Sequence, residues 1–316
     1  MKKTAFLYPG VGSHHAQMGK ELYEDFDIIR HTFEEASDSS HIDFAKMCFA
    51  PPNESVLGQL INSQSALLVL SVAVNRLFLR EVGINPEYAM GYSLGEYSAL
   101  CSAGVISFPD SIKLVNQRGK LLNDAAESMV GIMAWVINLD TQIVEKICIE
   151  SREEGHEIFV SAYDAPKQSS ISGSKDAVFT VGRKLEQAGA IVYPLKLSGP
   201  FHSIMMKSAG EQFKTILQQY SFNPPTFPVI ANYSGLPYDV ASNNSIVNNL
   251  FLQLINPILW KNSIDFLINN GVEIAVELGP DKVLKHLLLK NTPRIQTFSL
   301  GSTGDLKKIT EKLLLN

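Results

Sequence analysis

The chain has 316 residues, of which 45% are apolar and 19% charged, and a formal net charge of −5. That composition belongs to a folded globular chain and excludes disordered, collagen-like and low-complexity classes. The acidic balance argues against a nucleic-acid partner, because neutralising phosphates takes a basic face that the scattered lysines do not build.

At this length either one large α/β domain with an insertion or two domains sharing a core is expected. Three cysteines, Cys48, Cys101 and Cys148, are odd in number and far apart. They lack the close spacing of zinc sites, so free thiols, no disulfide and no metal are expected. The N-terminal run is stopped by Pro9-Gly10 and reads as a buried strand rather than a signal peptide. The longest mainly apolar stretch, Ala66 to Val74, is short of the roughly 20 residues a membrane helix needs, so no membrane segment is expected.

In chain order, several segments run strand, glycine turn, helix, the signature of a mainly parallel sheet covered by helices. The first is Thr4 to Tyr8 before Pro9-Gly10-Val11-Gly12, and the second is Tyr88 to Met90 entering Gly91-Tyr92-Ser93-Leu94-Gly95, with a helix from about Glu96 to Ala103. Next comes a β-α-β-β-α-β order: strand Gly131 to Ile137, helix Thr141 to Arg152, strands Glu157 to Tyr163 and Ser169 to Gly173, helix Asp176 to Gln187, strand Ala190 to Lys196. That is the ferredoxin-like pattern. It predicts an inserted subdomain over about residues 127–197 within a larger α/β domain formed by 1–126 and 198–316, with a substrate cleft between them. Phe227 to Asn232 and Glu273 to Leu278, the latter followed by Gly279-Pro280 and a helix through His286, supply two more strands of the large domain.

The motif G-x-S-x-G at Gly91 to Gly95 is weak alone, and its setting between an apolar strand and a helix raises it to a candidate nucleophile elbow. Glycines permit the tight turn, and the helix N-terminus offers backbone N–H groups to an oxyanion. A plain strand-to-helix turn is the alternative. A serine nucleophile needs a base. Of seven histidines, His202 in Leu197-Ser198-Gly199-Pro200-Phe201-His202-Ser203 is the best placed, since it follows the last subdomain strand and re-enters the large domain. His14 and His15 could line the cleft but suit a solvated surface better, as do His31, His41, His156 and His286.

Arg118 is the more discriminating residue. Ser107, Pro109 and Asp110 signal a helix start. On that helix Leu114, Val115, Leu121 and Leu122 form one face, Lys113, Asn116, Gln117 and Lys120 the other, and Arg118 falls in the apolar face. A buried guanidinium stays charged and needs an anion. An internal carboxylate or a bidentate substrate carboxylate would serve.

With these residues assembled, the chain resembles the malonyl-coenzyme A:acyl carrier protein transacylases, including the discrete acyltransferases of polyketide synthases, over nearly its whole length. The likeness rests on Phe6-Leu7-Tyr8-Pro9-Gly10-Val11-Gly12-Ser13, Gly91-Tyr92-Ser93-Leu94-Gly95-Glu96-Tyr97, Gln117-Arg118-Gly119, Ser198 to Ser203, Gln253-Leu254-Ile255-Asn256-Pro257 with Trp260, and Glu277-Leu278-Gly279-Pro280 with Lys282-Val283-Leu284. The resemblance implies a hydrolase-like α/β domain carrying a ferredoxin-like subdomain. It implies Ser93 as nucleophile, His202 as base and acid, and the main-chain carbonyl of Gln253 as the group that orients the histidine. The backbone N–H groups of Val11 and Leu94 would form the oxyanion hole, and Arg118 would pair the malonyl carboxylate.

The implied activity is ping-pong transfer of malonyl from coenzyme A to the phosphopantetheine thiol of an acyl carrier protein, with no permanently bound cofactor, in a cytoplasmic monomer. Transfer of a hydroxy- or aminomalonyl unit between carrier proteins, and hydrolysis of acyl groups from carrier proteins, are the alternatives. Three positions depart from the family pattern: Val11 replaces glutamine, Tyr92 replaces histidine, and Ala162-Tyr163-Asp164-Ala165-Pro166-Lys167-Gln168 stands where N-x-N-S-P-x-Q is usual. The last change puts a carboxylate near the expected thioester channel.

Overall fold

The computed structural model describes residues 2–239 and 243–314, with residues 196–198 described by their backbone alone. Among the described residues nine strands are formed: β1 (Thr4–Tyr8), β2 (Tyr88–Gly91), β3 (Gly131–Ile137), β4 (Ile158–Ala165), β5 (Gln168–Ser174), β6 (Ile191–Ser198), β7 (Val229–Ile230), β8 (Ile274–Leu278) and β9 (Gln296–Leu300). They make a five-stranded sheet of order β7-β2-β1-β8-β9 and a four-stranded sheet of order β4-β5-β3-β6.

The chain divides into two compact units, residues 1–119, 220–230 and 265–316 in one and 120–219 and 231–264 in the other. The five-stranded sheet belongs wholly to the first unit, and every pairing in it is parallel. β1 is central, with Phe6 paired to Ala89 on one side and to Val276 on the other. Both β1 and β8 are buried along their whole length, which is why neither shows the apolar–polar alternation of a half-solvated strand. Helix Leu60–Glu81 is long and apolar enough by composition to cross a membrane. Its segment Ala66–Val74 is buried throughout in this unit, so core packing accounts for its apolar length.

The second unit holds the antiparallel sheet, with β5 paired to β3 and β4 and β3 paired also to β6. Asp140 caps helix Thr141–Glu153 by accepting from Gln142 N, and Ser174 caps helix Lys175–Gln187 by accepting from Ala177 N. Both helices bury one stripe, Val144 and Cys148 from the first and Val178, Val181 and Leu185 from the second, against Ala134, Val136, Ile158 and Ile171 of the sheet. The β-α-β-β-α-β order over Gly131–Ser198 is therefore the ferredoxin-like fold, and the fold class read from sequence is the one observed.

Two strand readings need correction. Of Phe227 to Asn232 only Val229–Ile230 is strand, because Pro228 has no N–H to give and Ala231 turns away, its N–H reaching Leu236 O. The fifth strand, β9, was not read at all. Gln296 is exposed and Thr297 and Phe298 are half-buried, and Gln296-Thr297-Phe298-Ser299-Leu300 is a weak edge-strand pattern.

At the carboxyl end of β8 the buried carboxylate of Glu277 accepts from Leu284 N and Lys285 N, the first free donors of helix Val283–Asn291, and from Ser299 Oγ of β9. Burial pushes its carboxyl from 4.5 up to about 7 against the pull of those three donors. A carboxyl raised on folding adds stability that is fully present below pH 4.5 and lost as pH rises through 7. Over that window the loss is about 3 kcal/mol. Glu277→Gln is expected to flatten this fall, which denaturant titrations at pH 5 and pH 8 measure. An unchanged pH slope in the variant would remove Glu277 as its source.

Candidate active site

The site elements of the first unit meet at the carboxyl ends of β1 and β2. Ser93 has φ +51, in the left-handed region, between the end of β2 and helix Gly95–Ser102. A serine is held there only because its surroundings leave no alternative. Tyr92 N donates to Tyr8 O, and the turn closes with Gly95 N on Tyr92 O and Glu96 N on Ser93 O.

Both motif glycines are obligatory. A Cβ on Gly91 would lie 1.9 Å from the Gly95 carbonyl carbon, and one on Gly95 would lie 1.9 Å from Tyr8 O. Gly95→Ala must therefore push β1 and the helix apart, at a cost of about 3 kcal/mol. A chemical denaturation midpoint indistinguishable from that of the parent would contradict this close approach.

The turn after β1 packs on the same elbow, since a Cβ on Gly10 would meet Tyr92 O at 2.4 Å. Among the described residues, neither the Val11 nor the Leu94 N–H is spent on a turn bond, although Ser13 N, Gly12 N, Gly95 N and Glu96 N all are. An oxyanion hole takes two such uncommitted N–H groups.

Arg118 sits where the helix pattern put it. Helix Phe108–Ser128 starts from reciprocal bonds between Ser107 and Asp110, with Asp110 N donating to Ser107 Oγ and Ser107 Oγ donating to Asp110 Oδ2. Leu114, Val115, Leu122 and Arg118 are buried, and Lys113, Gln117 and Lys120 are exposed. Arg118 Nη1 donates to Gln64 Oε1 at 2.5 Å and Nη2 to Ser93 Oγ at 3.3 Å, while its guanidinium lies over the Tyr97 ring. Burial pulls Arg118 below the ordinary arginine value, and Tyr97 and Glu96 oppose that pull.

Gln64 is the residue that sequence reading missed. It is fully buried, its oxygen faces the guanidinium, and its Nε2 has no partner among the described residues. The available signal was an amide in Ser63-Gln64-Ser65, just ahead of the apolar run of a core helix.

In the second unit His202 follows β6 with φ +56. It is the one buried histidine of seven: His14 and His156 are half-buried and the other four are exposed. Its Nδ1 donates to the main-chain carbonyl of Gln253 at 2.8 Å. A carbonyl only accepts, so the neutral ring carries its proton on Nδ1, and Nε2 is its basic nitrogen. His14 Nδ1 accepts from Gly12 N, and burial followed by the neighbouring His15 lowers its pKa, so it remains a neutral part of the first turn. Asp164 is buried and accepts from Ser170 Oγ at 2.9 Å. The carboxylate that departs from the family pattern is thus held within the sheet. All three cysteines are free thiols, Cys48 and Cys148 buried and Cys101 half-buried. No cluster suited to a metal ion occurs among the described residues.

A left-handed serine between a parallel strand and a helix, in a chain that also carries a ferredoxin-like insertion, has the make-up of an α/β acyltransferase. The family model for the acyl transferase domain matches residues 5–296. A malonyl CoA-acyl carrier protein transacylase of Bacillus subtilis strain 168 is 37% identical over 315 residues, covering 99% of this chain and 98% of its own. The crystal structure of FabD from Acinetobacter baumannii superposes with a TM-score of 0.93 at 34% identity over 99% of both chains. A malonyl-transacylase solved with a type II PKS acyl-carrier protein superposes at 0.91, again at 34% identity, over 98% of this chain and 99% of that one. The chain belongs to the malonyl-CoA:acyl carrier protein transacylase family.

Proposed function

We propose that the protein transfers a malonyl group from coenzyme A to the phosphopantetheine thiol of an acyl carrier protein through an ester on Ser93. The observation that carries this reading is the buried Arg118 guanidinium donating to the Ser93 hydroxyl. A malonyl ester on that oxygen ends in a carboxylate one methylene beyond the ester carbon, within reach of the fork.

In the first half-reaction Ser93 Oγ bonds to the thioester carbon as its proton passes to His202 Nε2. The Val11 and Leu94 N–H groups hold the oxyanion. The C–S bond then breaks, and the coenzyme A sulfur takes the proton from His202. In the second half-reaction His202 removes the proton of the carrier thiol, the sulfur attacks the ester, and Ser93 Oγ leaves with the proton returned. Gln253 keeps Nε2 available in both halves by holding the Nδ1 proton. A coenzyme A thioester as substrate supports a cytoplasmic setting.

Incubation with malonyl-CoA followed by intact-mass measurement tests the reading. A persistent adduct of one malonyl group is expected. Free malonate released without a lasting adduct would make the chain a hydrolase.

A further inference from the structure

We propose that the open face of the ferredoxin-like sheet at its β3–β6 edge is the docking surface for the carrier protein, with Trp135 and Tyr193 as its anchors. The proposal rests on the transfer reading above and names where its protein partner sits.

Trp135 of β3 is paired directly with Tyr193 of β6, and Ile137 with Ile191. Paired residues of an antiparallel ladder project to one face, so the four form a single cluster. The opposite face carries Ala134 and Val136, packed on the two helices with Val192 against them. The cluster faces away from those helices. Trp135 is 43% exposed, Tyr193 52% and Ile191 43%. Contiguous exposed aromatic and aliphatic side chains on a folded domain mark a protein contact, and Trp and Tyr are the residue types that carry binding energy. β6 is the sheet edge, and Pro194 within it removes a ladder donor, so the partner uses the side chains rather than adding a strand.

Two observations select the carrier protein as occupant. The first is charge: exposed Lys167 lies in the β4–β5 turn at this end of the sheet, its carbonyl accepting from Asn138 N just after Ile137. It offers a cation to the phosphodiester that joins the phosphopantetheine arm to its protein. The second is reach. β6 runs from the cluster to the loop that carries His202, with Gly199 N bonded to Gly131 O at its far end. Tyr193 to Ser198 spans roughly 17 Å of strand, so a flexible arm anchored at the cluster can follow the strand toward that loop.

Steady-state transfer to holo acyl carrier protein from Bacillus subtilis, and to free pantetheine as an acceptor without a protein, tests the proposal. In the double variant Trp135→Ala/Tyr193→Ala the KM for carrier protein is expected to rise about tenfold or more, with malonyl loading from coenzyme A and transfer to pantetheine each within about twofold of the parent. Lys167→Glu, which removes no packing, is expected to raise the carrier KM severalfold in a salt-dependent way. An unchanged carrier KM in both variants overturns the proposal. So does an equal loss with pantetheine, which would mean damage to the arm's path, or a parent dimer that the double variant dissociates, which would make a second copy the occupant. A parent enzyme that fails to load malonyl rejects the transfer reading itself, and one that loads but ignores the holo protein rejects the docking face with it.

Discussion

Ser93→Ala is expected to abolish the malonyl adduct and to lower transfer by about a thousandfold or more. Alanine tolerates the left-handed conformation about as poorly as serine does, so the turn is no more strained in the variant than in the parent. The Arg118 guanidinium then loses a hydroxyl acceptor and keeps Gln64. A denaturation midpoint close to that of the parent, together with loss of adduct, isolates the chemical role. Adduct retained at full stoichiometry on the folded variant would remove Ser93 from the mechanism.

Arg118→Ala is expected to reduce malonyl loading by about a hundredfold while acetyl loading falls much less. A bidentate guanidinium–carboxylate pair in a buried site is worth several charge-assisted hydrogen bonds, and an acetyl group makes none of them. The helix position makes this separation of effects testable. Arg118 lies on the buried face and donates to a neutral amide and a neutral hydroxyl, so its removal leaves no stranded carboxylate at those two contacts. Arg118→Lys keeps the charge without the fork and should fall between parent and alanine variant. Equal losses for malonyl and acetyl would make Arg118 a structural residue.

Much of this was legible in the chain because local rules and tertiary structure agree. The Ser107–Asp110 cap and the helical period that follows locate Arg118 on the buried face without any knowledge of the site. The elbow was legible because the two glycines answer a backbone demand: a Cβ on Gly91 would lie 1.9 Å from the Gly95 carbonyl carbon, and one on Gly95 would lie 1.9 Å from Tyr8 O. The six ferredoxin-like elements were legible because their β-α-β-β-α-β order is distinctive and their helices carry caps at Asp140 and Ser174.

What escaped was set by distant contacts. Gln64 sits in a helix whose composition announces only burial, and its importance comes from Arg118, 54 residues away. β9 forms because β8 offers it a complete parallel ladder, a partner that no local pattern reveals. Asp164, expected near the thioester channel, is buried and accepts from Ser170 Oγ of the neighbouring strand, a contact that no local pattern reveals.

The most direct test of the account is a single-turnover transfer between isolated species. The enzyme is loaded with malonyl-CoA, freed of excess donor, and mixed with holo acyl carrier protein while the intact masses of both proteins are followed. The account predicts that the enzyme loses one malonyl group as the carrier gains one, with no free coenzyme A required. An adduct that decays to malonate while the carrier's mass stays unchanged would contradict it.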